Sequence, residues 1–186
     1  MELVFVAVGT NQGDLDANIA EAIALIREIP DTVVEAQSSF KDYAPEDAAA
    51  GQPNYRNGVL RLQTDLGPLD LLHKLQVIER RMGRSSKGDG SSRPIDLDIL
   101  SYGREVIIQG KTLTVPHPRM TGRRFVLEPL AEIAPDWKHP KSGKTSAELL
   151  NELGSPNAAN PLPESGSAEA PADEAFSSRP SAASGT

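Results

Sequence analysis

Residues 2–8, ELVFVAV, form a β-branched apolar run closed by Gly9, which predicts a buried strand. From Asp14 the period changes. Leu15, Ile19, Ala22, Ile23 and Ile26 recur at three- and four-residue steps, as an amphipathic helix requires, and Asp14 stands at its N-cap. A second strand fits Thr32 to about Asp42, followed by a polar, proline-containing loop to Asn54. A third strand runs from Tyr55 to Thr64 on Val59, Leu60 and Leu62. Pro68 opens a second helix at the favoured first turn, with Leu71, Leu72, Leu75, Ile78 and Met82 as its buried stripe and Gly83 at its end. Beyond a Gly/Ser-rich loop (84–92), Ile95 to Ser101 reads as a strand, Glu105 to Ile108 as a short one, and Met120 to Ile133 as partly helical. The order β-α-β-β-α-β is the split βαβ pattern. It predicts an α+β fold, a two-layer sandwich with an antiparallel sheet and both helices on one face.

Composition changes this picture mainly at the C-terminal end. Residues 155–186 hold 8 Ala, 7 Ser, 5 Pro and 2 Gly, too little apolar area to offset the entropy of ordering, so a disordered acidic tail is expected after a single domain over 1–154. The 186-residue chain has no Cys, which removes disulfides, thiolate metal sites and a thiol nucleophile. No apolar stretch approaches the roughly 18 residues that span a bilayer, and Met1-Glu2 lacks a basic leader, so cytoplasm is the expected compartment. A net charge of −7 disfavours a general affinity for nucleic acid or anionic lipid, and small-molecule substrates with a monomeric chain are expected instead. Any phosphate must then be held by a local basic patch.

Such a patch surrounds the sharpest chemical signal, Arg93-Pro94-Ile95-Asp96-Leu97-Asp98. A period of two puts Asp96 and Asp98 on one strand face, about 7 Å apart at Cα, a good mount for one or two Mg²⁺ ions, which take hard oxygen ligands. By itself an Asp-x-Asp strand is more often a solvated face. Arg84, Lys87 and Arg93 nearby suit phosphoryl transfer. Gln76 and Glu79 share a helix face, and Tyr55 and Asn57 share a strand face, an aromatic with an amide able to read a heterocycle edge. His117 is stiffened between Pro116 and Pro118, and Arg123 precedes Phe125 by two, a guanidinium and a ring for phosphate and a flat ligand. Ser142-Gly143-Lys144-Thr145 imitates the end of a phosphate loop, but Lys138 stands where that motif needs glycine. A metal-dependent glycosyltransferase could also use Asp-x-Asp, but it generally needs a larger domain.

Together these segments resemble the 6-hydroxymethyl-7,8-dihydropterin pyrophosphokinase family. The likeness rests on Gly9-Thr10-Asn11-Gln12-Gly13-Asp14, Ser38-Ser39-Phe40, Gln52-Pro53-Asn54-Tyr55-Arg56-Asn57, Gln76 to Arg84, Arg93 to Asp98 and Val115-Pro116-His117-Pro118-Arg119-Met120, and runs to about residue 137. The resemblance implies a ferredoxin-like sandwich and transfer of pyrophosphate from ATP, as co-substrate, to the pterin hydroxymethyl group, with two Mg²⁺ ions on Asp96 and Asp98. It implies catalytic roles for Asp96, Asp98, Arg84 and Arg93. Pterin contacts would come from Tyr43, Ala44, Pro45, Tyr55, Asn57 and Phe125, and ATP contacts from Gln76, Glu79, Lys87, Arg93, Ile99, Thr114, His117 and Arg123. Two departures stand out. Lys41-Asp42-Tyr43 replaces the family's usual Tyr-x-Thr, and the loop that closes over ATP in the family commonly carries further arginines and a Trp, where Ser85 to Ser92 has one Lys and no ring. Weaker ATP affinity or lower activity is expected, with a catalytically weakened or non-catalytic binder of pterin or nucleotide as the alternative.

Overall fold

The computed structural model describes residues 1–45, 53–84 and 92–154. Strand β1 (Glu2–Thr10) leads into helix α1 (Leu15–Arg27), whose N-cap Asp14 accepts the Ala17 N–H at 3.0 Å. Then follow β2 (Thr32–Gln37), β3 (Lys41–Tyr43), β4 (Tyr55–Thr64), α2 (Pro68–Arg81) and β5 (Asp96–Tyr102). A hairpin of β6 (Ile107–Gln109) and β7 (Leu113–Val115), a 3₁₀ turn (Met120–Gly122), α3 (Arg124–Ile133) and α4 (Ser146–Glu152) complete the described chain. Every pairing is antiparallel, and the main sheet runs β2-β4-β1-β5 with β3 added on β4. Strands β1 and β2 therefore point the same way with β4 between them.

The single second strand expected over Thr32 to Asp42 is two. Strands β2 and β3 follow one another along the same edge of β4, and Ser38 makes the junction: its N–H donates to Val59 O (3.0 Å) while its Oγ accepts the Val59 N–H (2.9 Å). Phe40 takes the space this opens, over Gly58, where a Cβ would lie 2.6 Å from its ring. Only glycine admits that approach.

The layers also depart from expectation. Val4, Val6 and Val8 of β1 bury against Ile19, Ala22, Ile23 and Ile26 of α1 and Leu71, Leu72, Leu75 and Ile78 of α2, so both expected helices share one face. The opposite face is covered too. Phe5, Val59 and Leu100 pack under Val126, Leu127 and Leu130 of α3 and Leu149 of α4, and Trp137 meets Phe5 edge-on at 5.7 Å. Period two supplies apolar residues to both sides of the central strand, and the sheet is sandwiched between two helical layers. The expected acidic tail lies outside the described residues.

Candidate active site

One end of the sheet, on the α3 face, collects the chemistry. Gly9 sits opposite Asn57 on one side and Asp96 on the other, and Ala7 sits opposite Val59 and Asp98. Cross-strand partners share a face, so Asn57, Asp96 and Asp98 rise together beyond the cover of α3. Gly9 leaves the space that the Asn57 amide takes: a Cβ there would lie 2.6 Å from Asn57 Oδ1. The register of β3 on β4 adds Tyr43 opposite Tyr55 and Lys41 opposite Asn57, and Lys41 Nζ reaches Glu128 of α3 at 2.8 Å.

Aromatic rings with arginines over them line this end. Phe125 lies 6.3 Å from Tyr43, tilted by 57°, with the Arg123 guanidinium 5.3 Å from its centroid; that of Arg93 lies 5.9 Å from Tyr55. Burial pushes the Tyr43 phenol up to about 12, so it is a neutral donor at physiological pH. Arg56, in the same sequence motif as Tyr55 and Asn57, points to the other face, where it ties Asp42 of β3 (2.7 Å) to Asp16 of α1 (2.6 Å).

Below the rings lies a buried charge cluster. Gly83, with φ +91°, turns the chain out of α2 and lets the Arg84 N–H return to Glu79 O at 3.0 Å. The Arg84 guanidinium then lies inside, donating to Glu79 Oε1 at 2.5 Å and to Asp96 Oδ1. Arg93 reaches the other oxygen, Asp96 Oδ2, at 3.1 Å. Burial alone would lower the Arg84 pKa, but Asp96, Glu79 and Asp98 outweigh it and hold the group above its ordinary value. Glu79, expected among the ATP contacts, is 3% exposed and turned inward; its Oε1 also accepts the Leu97 N–H at 2.8 Å, locking α2 to the start of β5.

His117 completes the group. Its N–H donates to Leu100 O at 2.9 Å, after a cis peptide at Val115-Pro116, and its Nδ1 accepts the Arg119 N–H at 3.3 Å, which leaves Nε2 to carry the proton. Burial lowers its pKa; Asp98 and Asp96 pull it back up, and Arg123 and Arg119 press it down. Those charges are its surroundings, so His117, Asp98 and Arg123 belong to one site.

Of the other expected site residues, Gln76 is half-buried one turn before Glu79 on α2, Thr114 lies half-buried in β7, and Ala44 and Pro45 continue from Tyr43 at the rim. Ile99 is not brought to the carboxylates: its side chain is packed in the α1/α2 core, so only its backbone could serve a ligand. Lys87 lies outside the described residues. Sequence reasoning assigned no role to Asn11, which clamps the cluster: its Oδ1 accepts the Arg93 N–H (2.8 Å) and its N–H donates to Arg93 O (3.2 Å). The available signal was its place just after the β1 run, in Gly9-Thr10-Asn11.

Among the described residues no group of three His, Asp or Glu side chains gathers as a metal cage. The hard-oxygen donors here are the two aspartates, a set that suits an ion sharing its coordination with water and substrate.

Comparison with known proteins places this geometry. Residues 5–135 match the family model described as 7,8-dihydro-6-hydroxymethylpterin-pyrophosphokinase (HPPK). A 2-amino-4-hydroxy-6-hydroxymethyldihydropteridine pyrophosphokinase of Synechocystis is 40% identical over 148 residues, covering 80% of this chain and 74% of its own. The protein of that name in Haemophilus influenzae is 40% identical over 156 residues, covering 82% and 91%. Among solved structures, Plasmodium falciparum HPPK-DHPS wild type with pteroate superimposes at a TM-score of 0.66, with 15% identity, over 81% of this chain and 42% of that one. That likeness speaks for the fold, and the sequence matches speak for descent. With residues 5–135 under the family model and the two-aspartate strand, the Asn57 platform and the His117 turn all inside that span, the chain belongs to the 7,8-dihydro-6-hydroxymethylpterin-pyrophosphokinase family.

Proposed function

We propose that this chain transfers the pyrophosphoryl group of ATP to the hydroxymethyl oxygen of 6-hydroxymethyl-7,8-dihydropterin, releasing AMP. The observation that carries it is the convergence at one sheet end of Asn57, Tyr55, Tyr43 and Phe125 beside Asp96, Asp98, His117 and four arginines: Arg84, Arg93, Arg119 and Arg123. A flat heterocycle fits between the rings with its edge on the Asn57 amide, and the backbone at Ala44 and Pro45 closes the rim. The triphosphate lies along Arg84, Arg93 and Arg123, and neutral His117 donates from Nε2. Gln76, Thr114, the Ile99 backbone and Lys87 serve the nucleotide, while Glu79 acts by holding Arg84 and β5.

The pterin oxygen attacks the β-phosphorus, the bond from that phosphorus to the α,β-bridging oxygen breaks, and the hydroxyl proton passes to the Asp98 carboxylate and on to solvent. AMP leaves with the bridging oxygen. No covalent enzyme intermediate is needed, so catalysis consists of alignment and charge neutralisation. Asp96 and Asp98 would hold Mg²⁺, two ions on the family pattern, whose chemistry is to neutralise the phosphate oxygens. The strand order and antiparallel pairing support reading the sheet with α1 and α2 as ferredoxin-like. A monomer in the cytoplasm acting on small molecules, with no nucleic-acid or membrane partner, agrees with the acidic sequence; among the described residues no helix is long and apolar enough to cross a membrane.

The test is AMP release, followed by chromatography, with ATP, Mg²⁺ and the pterin, beside an Asp96→Ala/Asp98→Ala control. We expect pterin-dependent AMP from the wild type and at least about a hundredfold less from the control, the scale of losing a main electrostatic stabiliser. Saturable pterin binding without AMP would instead establish the non-catalytic alternative.

A further inference from the structure

Asp96, the first of the two carboxylates the proposed function assigns to metal, is occupied on both oxygens by protein cations: Arg84 at Oδ1 and Arg93 at Oδ2. The two arginines differ in kind. Arg93 stands three residues from Asp96 in the chain and is the more exposed, whereas the Arg84 side chain is 4% exposed and wedged between two carboxylates, those of Glu79 and Asp96. A buried guanidinium cannot be left without a counter-charge at tolerable cost, and neither can a buried carboxylate. Glu79 resolves this for a change of partner. It is itself 4% exposed at the side chain, and its Oε1 accepts both from Arg84 and from the Leu97 N–H, a hold independent of Asp96.

We propose that Arg84 is the resident counter-ion of Asp96: it occupies the carboxylate oxygen a metal ion must take, and Glu79 retains it when the metal arrives. Arg84 and a divalent cation compete for one oxygen, so the nucleotide-free chain binds metal weakly, and Arg84 turns away from Asp96 only when metal replaces it. Glu79 sets the balance, because it decides how much of the Arg84 charge falls on Asp96. This inference rests on the metal role given to Asp96 in the proposed function, and deepens it by naming what holds that role in check.

The test is Mn²⁺ binding to the full chain without nucleotide or pterin, read by electron paramagnetic resonance as loss of the free-ion signal. Arg84→Met should tighten Mn²⁺ binding about tenfold or more, the range of close charge pairs. Glu79→Gln, which keeps an acceptor for the Leu97 N–H but removes the competing charge, should weaken it. Circular dichroism on both variants identifies folding failures, and Arg84→Lys, with a charge but no fork, should fall between Arg84→Met and the wild type. Opposite signs for Arg84→Met and Glu79→Gln support the counter-ion; equal or weaker Mn²⁺ binding by folded Arg84→Met and Arg84→Lys overturns it. AMP formation on the same wild-type preparation separates the two readings. AMP with no tightening in Arg84→Met removes the counter-ion alone, whereas tightening without AMP leaves the counter-ion and removes the pyrophosphokinase reaction.

Discussion

Gly9 shows how closely one residue can govern the proposed site. It separates Asn57 from Asp96 across the sheet, and a methyl group there would fall 2.6 Å from Asn57 Oδ1. The clash is with the end of a side chain, so the fold can yield by swinging the amide away. Gly9→Ala should therefore leave the thermal midpoint within a few degrees of the wild type and raise the pterin KM about tenfold or more, since displacements near 1 Å are costly at a positioned contact. Steady-state kinetics beside a thermal melt checks this; an unchanged KM would remove Asn57 from pterin recognition. The residue types were legible in the sequence, because Asp-x-Asp and Tyr-x-Asn need only a period of two to share a face. Their partners were not. Glu79 reads as half of a polar helix face, and its burial follows from where β5 begins, a contact across 18 residues of chain.

At the scale of elements, α4 is the helix that hydrophobic periodicity did not predict. Its seven residues are too few for a clear stripe, and Ser142-Gly143-Lys144-Thr145 drew attention as a failed phosphate loop. The structure gives that stretch a different purpose. Gly143 takes φ +71° in the turn, and Thr145 and Glu148 form a reciprocal capping box, Thr145 Oγ1 accepting the Glu148 N–H at 3.1 Å and Glu148 Oε2 accepting the Thr145 N–H at 2.7 Å. Leu149, buried by this start, seals the second face of the sheet against α3. Thr145→Ala should cost about 1 kcal/mol of stability, as loss of an N-cap does, without altering AMP formation at 25 °C. Urea unfolding measures it, and no loss would mean that packing of Leu149 alone holds α4. Strands β2 and β3 carry a related lesson. Continuous β propensity from Thr32 to Asp42 gave no sign that Phe40 would claim the space over Gly58.

For the whole molecule, pH reaches stability through a histidine remote from the proposed site. His139 is 6% exposed beside Trp137, and its Nδ1 lies 3.3 Å from the Ser142 N–H it accepts. Burial first, and Lys141 second, lower its pKa. The unfolded chain, with an ordinary histidine near 6.5, then binds the proton more readily than the folded one, so this contribution to stability is complete above about pH 6.5 and is lost as pH falls through the folded value. Urea unfolding at pH 7.5 and 5.5 should show a loss on acidification that His139→Gln reduces; an equal loss in the variant would place the sensitivity elsewhere, the half-buried His117, whose pKa is also lowered, being the other candidate.

The sequence by itself determined the alternation of strands and helices, the cap at Asp14 and the helix start at Pro68, the α1/α2 core, the faces of Asp96, Asp98, Tyr55 and Asn57, and the family to which they belong. These depend on local periodicity and on chemistry a short segment carries with it. Tertiary structure alone decided that α3 and α4 close the second face and that Arg84 lies between Glu79 and Asp96. Each of those is a choice of partner among groups far apart in the chain. That choice is made by burial, because a charge or an apolar surface withdrawn from water takes whatever partner the folded chain brings within reach.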